Sequence, residues 1–272
     1  MNNILLIDAY HLFHRTYYTF RNLKLKSGDS VGMIYGTIYL LLHYKDKFKP
    51  CDIIMCYDNG RSGRQEIYAD YKADRVQTKN GFNQQLIIVK SLLKDMGVKY
   101  AEYEDAEADD VIGSLSTRFE NDKKIIISGD HDYFQLINEN VNFYKIGKHD
   151  KMYHLSLFIE EYGIHPSRYA EMLYLRGDSS DNVPGIAKVG AKTALSIVKS
   201  TQTFDEVLKH KKVVDHIDIV QRNKDILTIK KKLDVIVKKD IKNLHIVKCL
   251  FEDYFKFDSF IRRWNDIEVI DK

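Results

Sequence analysis

The stretch Ile4-Leu5-Leu6-Ile7-Asp8 is apolar at four successive positions and then stops on a carboxylate. A strand exposed on one face alternates apolar and polar residues, so this unbroken run predicts a strand covered on both faces. Two further runs share the pattern. Ile53-Ile54-Met55-Cys56-Tyr57 stops on Asp58, and Ile125-Ile126-Ile127-Ser128 passes through Gly129 to Asp130 and Asp132. Between the runs, residues 35–45 and 84–96 place apolar side chains at helical spacing, and Gly97 supplies a C-terminal stop. Residues 107–115 open on Glu107, Asp109 and Asp110, acids that a helix N-terminus favours. This alternation predicts an α/β fold with a central, mostly parallel sheet flanked by helices.

Past residue 155 the strand signals fade. Residues 155–162, 167–175, 192–199 and 205–209 read as short helices set off by Gly and Pro turns. An α/β domain over 1–155 and a mostly helical region over 156–272 are expected, with a soft boundary and a shared core. Charge divides along a similar line. The 272 residues include 42 basic and 39 acidic side chains, net +3, yet residues 186–250 hold 15 basic and 7 acidic, leaving −5 for the rest. A basic segment beside an acidic one suits a polyanionic partner. Hydrophobic residues at 44% and charged residues at 30% exclude a disordered or fibrous chain. No apolar run approaches the roughly 20 residues of a membrane span, and MNNILLID (1–8) lacks the basic start of a signal peptide. Cys51, Cys56 and Cys249 are too few and too scattered for a disulfide framework or a zinc knuckle, which points to a reducing cytoplasm.

Parallel strands bring their carboxyl ends to one edge, where open α/β sheets bind ligands. Asp8, Asp58, Asp130 and Asp132 belong to that edge. Glu107, Asp109 and Asp110 at a helix start, and Asp178 and Asp181 in LRGDSSDNVPG (175–185), are candidates to join them. Each acid alone reads equally as a helix N-cap or a loop residue. Converging on one edge, they repel and raise one another's pKa unless cations neutralise them. Hard oxygen donors without His or Cys at ligand spacing point to Mg²⁺ or Mn²⁺ rather than zinc. Two such ions roughly 4 Å apart suit phosphodiester hydrolysis.

Six blocks carry a resemblance: LLIDAYHLFHRTYYTF (5–20), VGMIYGTIYLLL (31–42), CYDNGRSGRQEIYADYKADR (56–75), YEDAEADDVIGSL (103–115), ISGDHDYFQL (127–136) and LRGDSSDNVPGIAKVGAKTAL (175–195). Through their order and spacing the sequence resembles the 5′-nuclease (flap endonuclease) family, including the 5′–3′ exonuclease domain of bacterial DNA polymerase I and the free-standing phage enzymes. The resemblance implies a PIN-like sheet, a helical arch near 72–90 and a helix-hairpin-helix-like module near 183–200. It also implies a Mg²⁺-dependent nuclease acting on branched DNA with a 5′ end, in a bacterial or phage-infected cell. By motif match, Asp8, Asp58, Glu107, Asp109 and Asp110 form a first metal cluster, and Asp130, Asp132, Asp178 and Asp181 complete it and hold a second ion. Asp8, Asp58 and Asp130 are then catalytic as well. The family often binds K⁺ at the hairpin module. Ala9 stands where the family commonly has Gly, and His131 where it commonly has Lys.

In GRQEIYADYKADR (63–75), Arg64, Lys72 and Arg75 interleave with Tyr68 and Tyr71. If residues 68–75 are helical, Tyr68, Lys72 and Arg75 share one face. From pattern alone that face reads as solvated charge; the resemblance makes Lys72 and Arg75 catalytic contacts to a phosphate, and Arg64 a weaker DNA contact. Residues 184–195 read as a turn feeding a helix N-terminus. There Gly185 and Gly190 let backbone N–H groups approach a phosphate, and Lys188 and Lys192 add charge. No base-reading pattern accompanies them, so a sequence-independent grip on duplex DNA is expected. Tyr10, Phe13, Tyr17 and Phe20, with Tyr18 beside them, lie at helical spacing and read mainly as core, with one or two able to stack on a base. Lys230, Lys231 and Lys232 read as a solvated surface. The expected function is that of a monomeric, stand-alone, structure-specific 5′ nuclease cutting DNA at single-strand/duplex junctions. A PIN-like metal-dependent ribonuclease and a non-catalytic branched-DNA binding module are the alternatives.

Overall fold

The computed structural model describes residues 3–74 and 80–270. The strands are β1 (Asn3–Asp8), β2 (Asp52–Cys56), β3 (Lys99–Ala101), β4 (Lys123–Ser128), β5 (Val141–Lys145), β6 (Lys151–Tyr153), β7 (Gly177–Asp178), β8 (Val183–Pro184) and β9 (Val237–Lys238). All but β7 and β8 form one sheet, in the order β6-β5-β4-β1-β2-β3-β9. The five central strands run parallel; β6 and β9 close the two edges antiparallel. β7 and β8 make a separate hairpin.

Residues of β1 explain why its apolar run does not alternate. Ile4 and Leu6 pack into one core, Leu5 and Ile7 into another on the opposite face. β2 and β4 divide in the same way, with Ile54 and Ile126 on the first face and Ile53, Met55, Ile125 and Ile127 on the second. The second face is covered by α1 (Ala9–Thr19), α2 (Gly32–Phe48) and, past the short α3 (Arg64–Ile67), α4 (Asn80–Asp95). Gly97 follows α4 at φ 73°, the left-handed stop its sequence predicts. The first face is covered by α5 (Ala108–Arg118), a 3₁₀ turn over His131–Leu136, and α6 (Leu155–Tyr162), α7 (Tyr169–Arg176), α8 (Ala191–Lys199), α9 (Phe204–Lys209) and α10 (Ile217–Leu227).

The helical region expected over 156–272 shares its core with the sheet, and the chain does not stay there. β9 returns to pair with β3. Beyond it, α11 (Leu244–Cys249) and the segment to 270 cross to the second face. Phe251, Phe257 and Phe260 pack there, with Phe260 stacked 4.8 Å from Tyr35 of α2. Residues 68–74 are turns rather than a helix, because Lys72 adopts φ 55° and its N–H donates to the Asp181 carbonyl at 2.9 Å.

Candidate active site

Parallel strands β4, β1 and β2 deliver three acids to one edge, and the local backbone fixes each. Asp8 ends β1 and caps α1, accepting the His11 N–H at 3.1 Å. Its other oxygen accepts Ser128 Oγ at 2.9 Å and the Tyr133 hydroxyl at 3.2 Å. Asp58, two residues past β2, accepts the Ala108 N–H at 2.7 Å and so ties that strand to the start of α5. Asp130 caps the 3₁₀ turn, accepting the Asp132 N–H at 2.9 Å.

Cations and hydroxyls organise the other side. Glu107 receives Lys72 Nζ at 2.8 Å, Arg64 at 2.9 Å and the Tyr71 hydroxyl at 2.8 Å. Asp181, carried by the β7–β8 turn, lies 3.6 Å from Lys72 Nζ and 3.3 Å from the Tyr71 hydroxyl. The result is a cavity of about 290 Å³ lined by Asp8, Asp58, Glu107, Asp109, Asp130, Asp132 and Asp181, together with Lys72, Tyr10, His11, His14, Ala108 and Tyr133. Seven carboxylates thus face one lysine among the described residues.

This excess shows in the proton affinities. Asp58 opens onto the cavity, yet desolvation by its walls and the charge of Asp8 push its pKa up to about 6. Burial lifts Asp109 to about 8, with Asp110 and Glu107 adding to it and Arg64 opposing. Asp130 and Asp132 are also raised, first by burial and then by neighbouring acids. Glu107 goes the other way: Lys72 and Arg64 outweigh its burial and hold it below the ordinary range. Among the described residues, no three His, Cys, Asp or Glu side chains already close on one point to hold an ion. Oxygens of Asp8, Asp58, Asp130, Glu107 and Asp181 are engaged by the N–H, hydroxyl and cationic donors just described. The donor type and number nevertheless fit hard divalent cations.

Among the described residues, the other sites predicted from sequence do not line this cavity. Asp110 does not reach the cavity: it is fully buried, forked by Arg64 at 2.8 and 3.0 Å, and accepts the Lys230 N–H at 2.8 Å. Its oxygens face protein donors rather than the cavity. Arg64, expected as a DNA contact, is 2% exposed and paired with Glu107, Asp109 and Asp110, where it holds carboxylates in place. Gly185 is a glycine for internal reasons, since a Cβ there would stand 2.1 Å from the Arg176 carbonyl carbon. Gly190, by contrast, has open space around it and begins α8 with no side-chain cap, beside exposed Lys188 and Lys192. Asp178 stands outside the cavity and accepts from Ser180, shaping the turn that carries Asp181. Arg75 and part of the expected arch lie outside the described residues.

Sequence reading missed the hydroxyls of Tyr71, Ser128 and Tyr133, which no spacing announces. It also missed His11 and His14, whose signal was available: they follow Asp8 by three and six residues, one helical face. Of the aromatic set, Phe13 is core and Tyr10 lines the cavity, while Tyr18 is exposed. Lys230 is exposed, as read, and its Nζ donates to the Ser62 carbonyl at 2.8 Å.

The 5′-3′ exonuclease N-terminal resolvase-like domain profile matches residues 3–163, and the 5′-3′ exonuclease C-terminal SAM fold matches residues 164–250. The chain belongs to the 5′–3′ exonuclease family. As a nuclease of that family it is 34% identical over 211 residues to a 5′-3′ exonuclease of Buchnera aphidicola, covering 76% of this chain and 73% of that one. It is 35% identical over 205 residues to DNA polymerase I of Streptococcus pneumoniae, covering 72% of this chain but 23% of the polymerase. Its fold matches bacteriophage T5 flap endonuclease, solved as a pseudo-enzyme-product complex with DNA and metal ions, at a TM-score of 0.71 and 17% identity over 98% of this chain and 99% of that one. In this 5′–3′ exonuclease, no helix among the described residues is long and apolar enough to cross a membrane.

Proposed function

We propose that this 5′–3′ exonuclease cuts DNA phosphodiesters at single-strand/duplex junctions, using two divalent ions, Mg²⁺ or Mn²⁺. The observation that supports it most is the seven-to-one excess of carboxylates over lysine in one cavity at the carboxyl edge. Such a cavity repels a phosphodiester unless hard cations neutralise it. When bound, the ions supply charge neutralisation on the phosphate and a lowered pKa for water. Asp8, Asp58, Glu107 and Asp109 would hold one ion, and Asp130, Asp132 and Asp181 the other, with Asp178 fixing the turn beneath Asp181. Lys72 lies at the cavity wall between Glu107 and Asp181, where its ammonium can meet a phosphate oxygen gaining charge. Arg75 is assigned as its companion. Lys188, Gly190 and Lys192 grip the duplex backbone, and K⁺ at the Gly185–Gly190 turn belongs to the same reading. The enzyme acts as a monomer in the cytoplasm.

A labelled 5′-flap duplex with Mg²⁺ tests the reading: cleavage near the junction, leaving 5′-phosphate and 3′-hydroxyl ends, is expected. Asp58→Ala and Asp130→Ala retain DNA binding while cleavage falls by about a thousandfold or more, and Lys72→Ala loses about a hundredfold. Absence of product with Mg²⁺ or Mn²⁺ where DNA is bound overturns it, and preferential cutting of single-stranded RNA supports the ribonuclease instead.

A further inference from the structure

Along the carboxyl edge the strands lie in the order β5, β4, β1, β2. β4, β1 and β2 lead to Asp130, Asp8 and Asp58, but β5 ends on a cation, Lys145, in register with Ser128. Phe143, two residues earlier and therefore on the same face, packs 5.3 Å from Phe134 of the 3₁₀ turn. Lys145 accordingly faces the start of that turn. Arg176 reaches the same neighbourhood from the other side, as the last residue of α7, immediately before Gly177 and Asp178. Its backbone is held rigidly by the close approach of Gly185 and by the Ile186 N–H donating to the Leu175 carbonyl at 2.8 Å. Its Nε is buried without a hydrogen-bond partner. Among the described residues neither Arg176 nor Lys145 is ion-paired, although acids crowd the adjoining cavity. β5, which ends on Lys145, and α7, which ends on Arg176, both pack against the 3₁₀ turn over His131–Leu136. Two cations without ion-pair partners, carried by the two elements packed on that turn, repel each other, and a bridging anion offsets that repulsion.

We propose that Arg176 and Lys145 form a phosphate station for the nucleic-acid strand, beside the carboxylate cavity on its β5 side. The inference rests on the reading that this chain binds DNA. Lys72 reaches the cavity wall separately, at Glu107 and Asp181. A strand laid across the carboxylates then meets the Arg176–Lys145 pair as well as Lys72, which holds the scissile phosphate in register over the acids. Arg176 suits a diester because its planar fork can donate to both free oxygens at once.

The test measures binding of a fluorescent 5′-flap duplex across a KCl series, with Ca²⁺ in place of Mg²⁺. Arg176→Met and Lys145→Met should each weaken binding by about three- to tenfold and reduce the log–log salt slope by about one. Arg176→Lys should restore the slope but not the full affinity. A single neutral methylphosphonate, walked along the strand, should erase the difference between the wild type and Arg176→Met at one position next to the cleavage site. A salt slope unchanged in both Met variants overturns the proposal, as does a change in Mg²⁺ affinity with DNA affinity intact. Should Arg176→Met fail to fold, Lys145→Met at a strand end carries the measurement. If the wild type neither binds nor cuts the flap, the proposed function fails; if it does both and the Met variants bind equally well, the phosphate station alone fails.

Discussion

Arg64 and Lys72 stand eight residues apart in one basic, tyrosine-rich window, yet their surroundings give them different work. The Arg64 guanidinium directs Nε to the Ile226 carbonyl at 2.7 Å and its terminal nitrogens to Glu107 and Asp110 at 2.8–3.0 Å. Lys72 reaches the cavity wall instead. Arg64→Ala leaves Asp110 as an uncompensated buried charge, so a loss of about 3–5 kcal/mol is expected, read from urea unfolding. Arg64→Lys should recover little, because one ammonium cannot reproduce the fork that grips Asp110. A stability unchanged in Arg64→Ala would return the residue to the DNA surface. Nothing local separates the two basic residues; Asp110, 46 positions downstream of Arg64, does so.

The hairpin between α7 and α8 shows the same division among glycines. Gly185 leaves no room for a Cβ against Arg176 and Gly177, whereas Gly190 is open at φ −84°, a conformation any residue adopts. Gly185→Ala is expected to cost about 1–3 kcal/mol through displacement of the hairpin, and Gly190→Ala less than about 1 kcal/mol; paired urea midpoints check the contrast. Equal midpoints would show that the hairpin yields. The helices over this region were legible in the sequence because apolar spacing and Gly or Pro stops agree. Residues 68–74 were not, since their turn is set by the Lys72 N–H reaching Asp181 across 109 positions. α10 was likewise silent: its fully buried Asn223 donates to the Tyr174 and Pro184 carbonyls and so fastens the hairpin to the nuclease core.

At the scale of the whole molecule, the crowded carboxylates couple stability to pH and to divalent cations. Asp58 at about 6 and Asp109 at about 8 lie above the roughly 3.9 of an unfolded aspartate. A raised acid binds more protons folded than unfolded, so its effect on stability is best at low pH and is lost as pH rises through the folded value. Glu107, depressed, acts in the opposite direction but only below its unfolded pKa near 4.3, outside that window. In EDTA, the melting temperature should therefore be higher at pH 5.5 than at pH 8, by several degrees. Mg²⁺ should raise it more at pH 8, where protons no longer compete for the oxygens. A metal-free melting temperature that rises from pH 5.5 to pH 8 would contradict the raised acids.

The central strands, their burial on both faces and the acids that end them are readable from the amino-acid order alone. Those properties follow from consecutive residues: an unbroken apolar run has one stable setting, and the next polar residue must lie at its end. The near-neutral total of +3 likewise resolved into a basic segment and an acidic remainder from counting alone. Which acids share the cavity and which are neutralised internally depends on packing between distant elements. Asp110 and Asp109 are neighbours in sequence and both lie beside Arg64, but only Asp109 also lines the cavity. The side of a helix start that meets a buried guanidinium is set by packing between distant elements, and no local pattern encodes it.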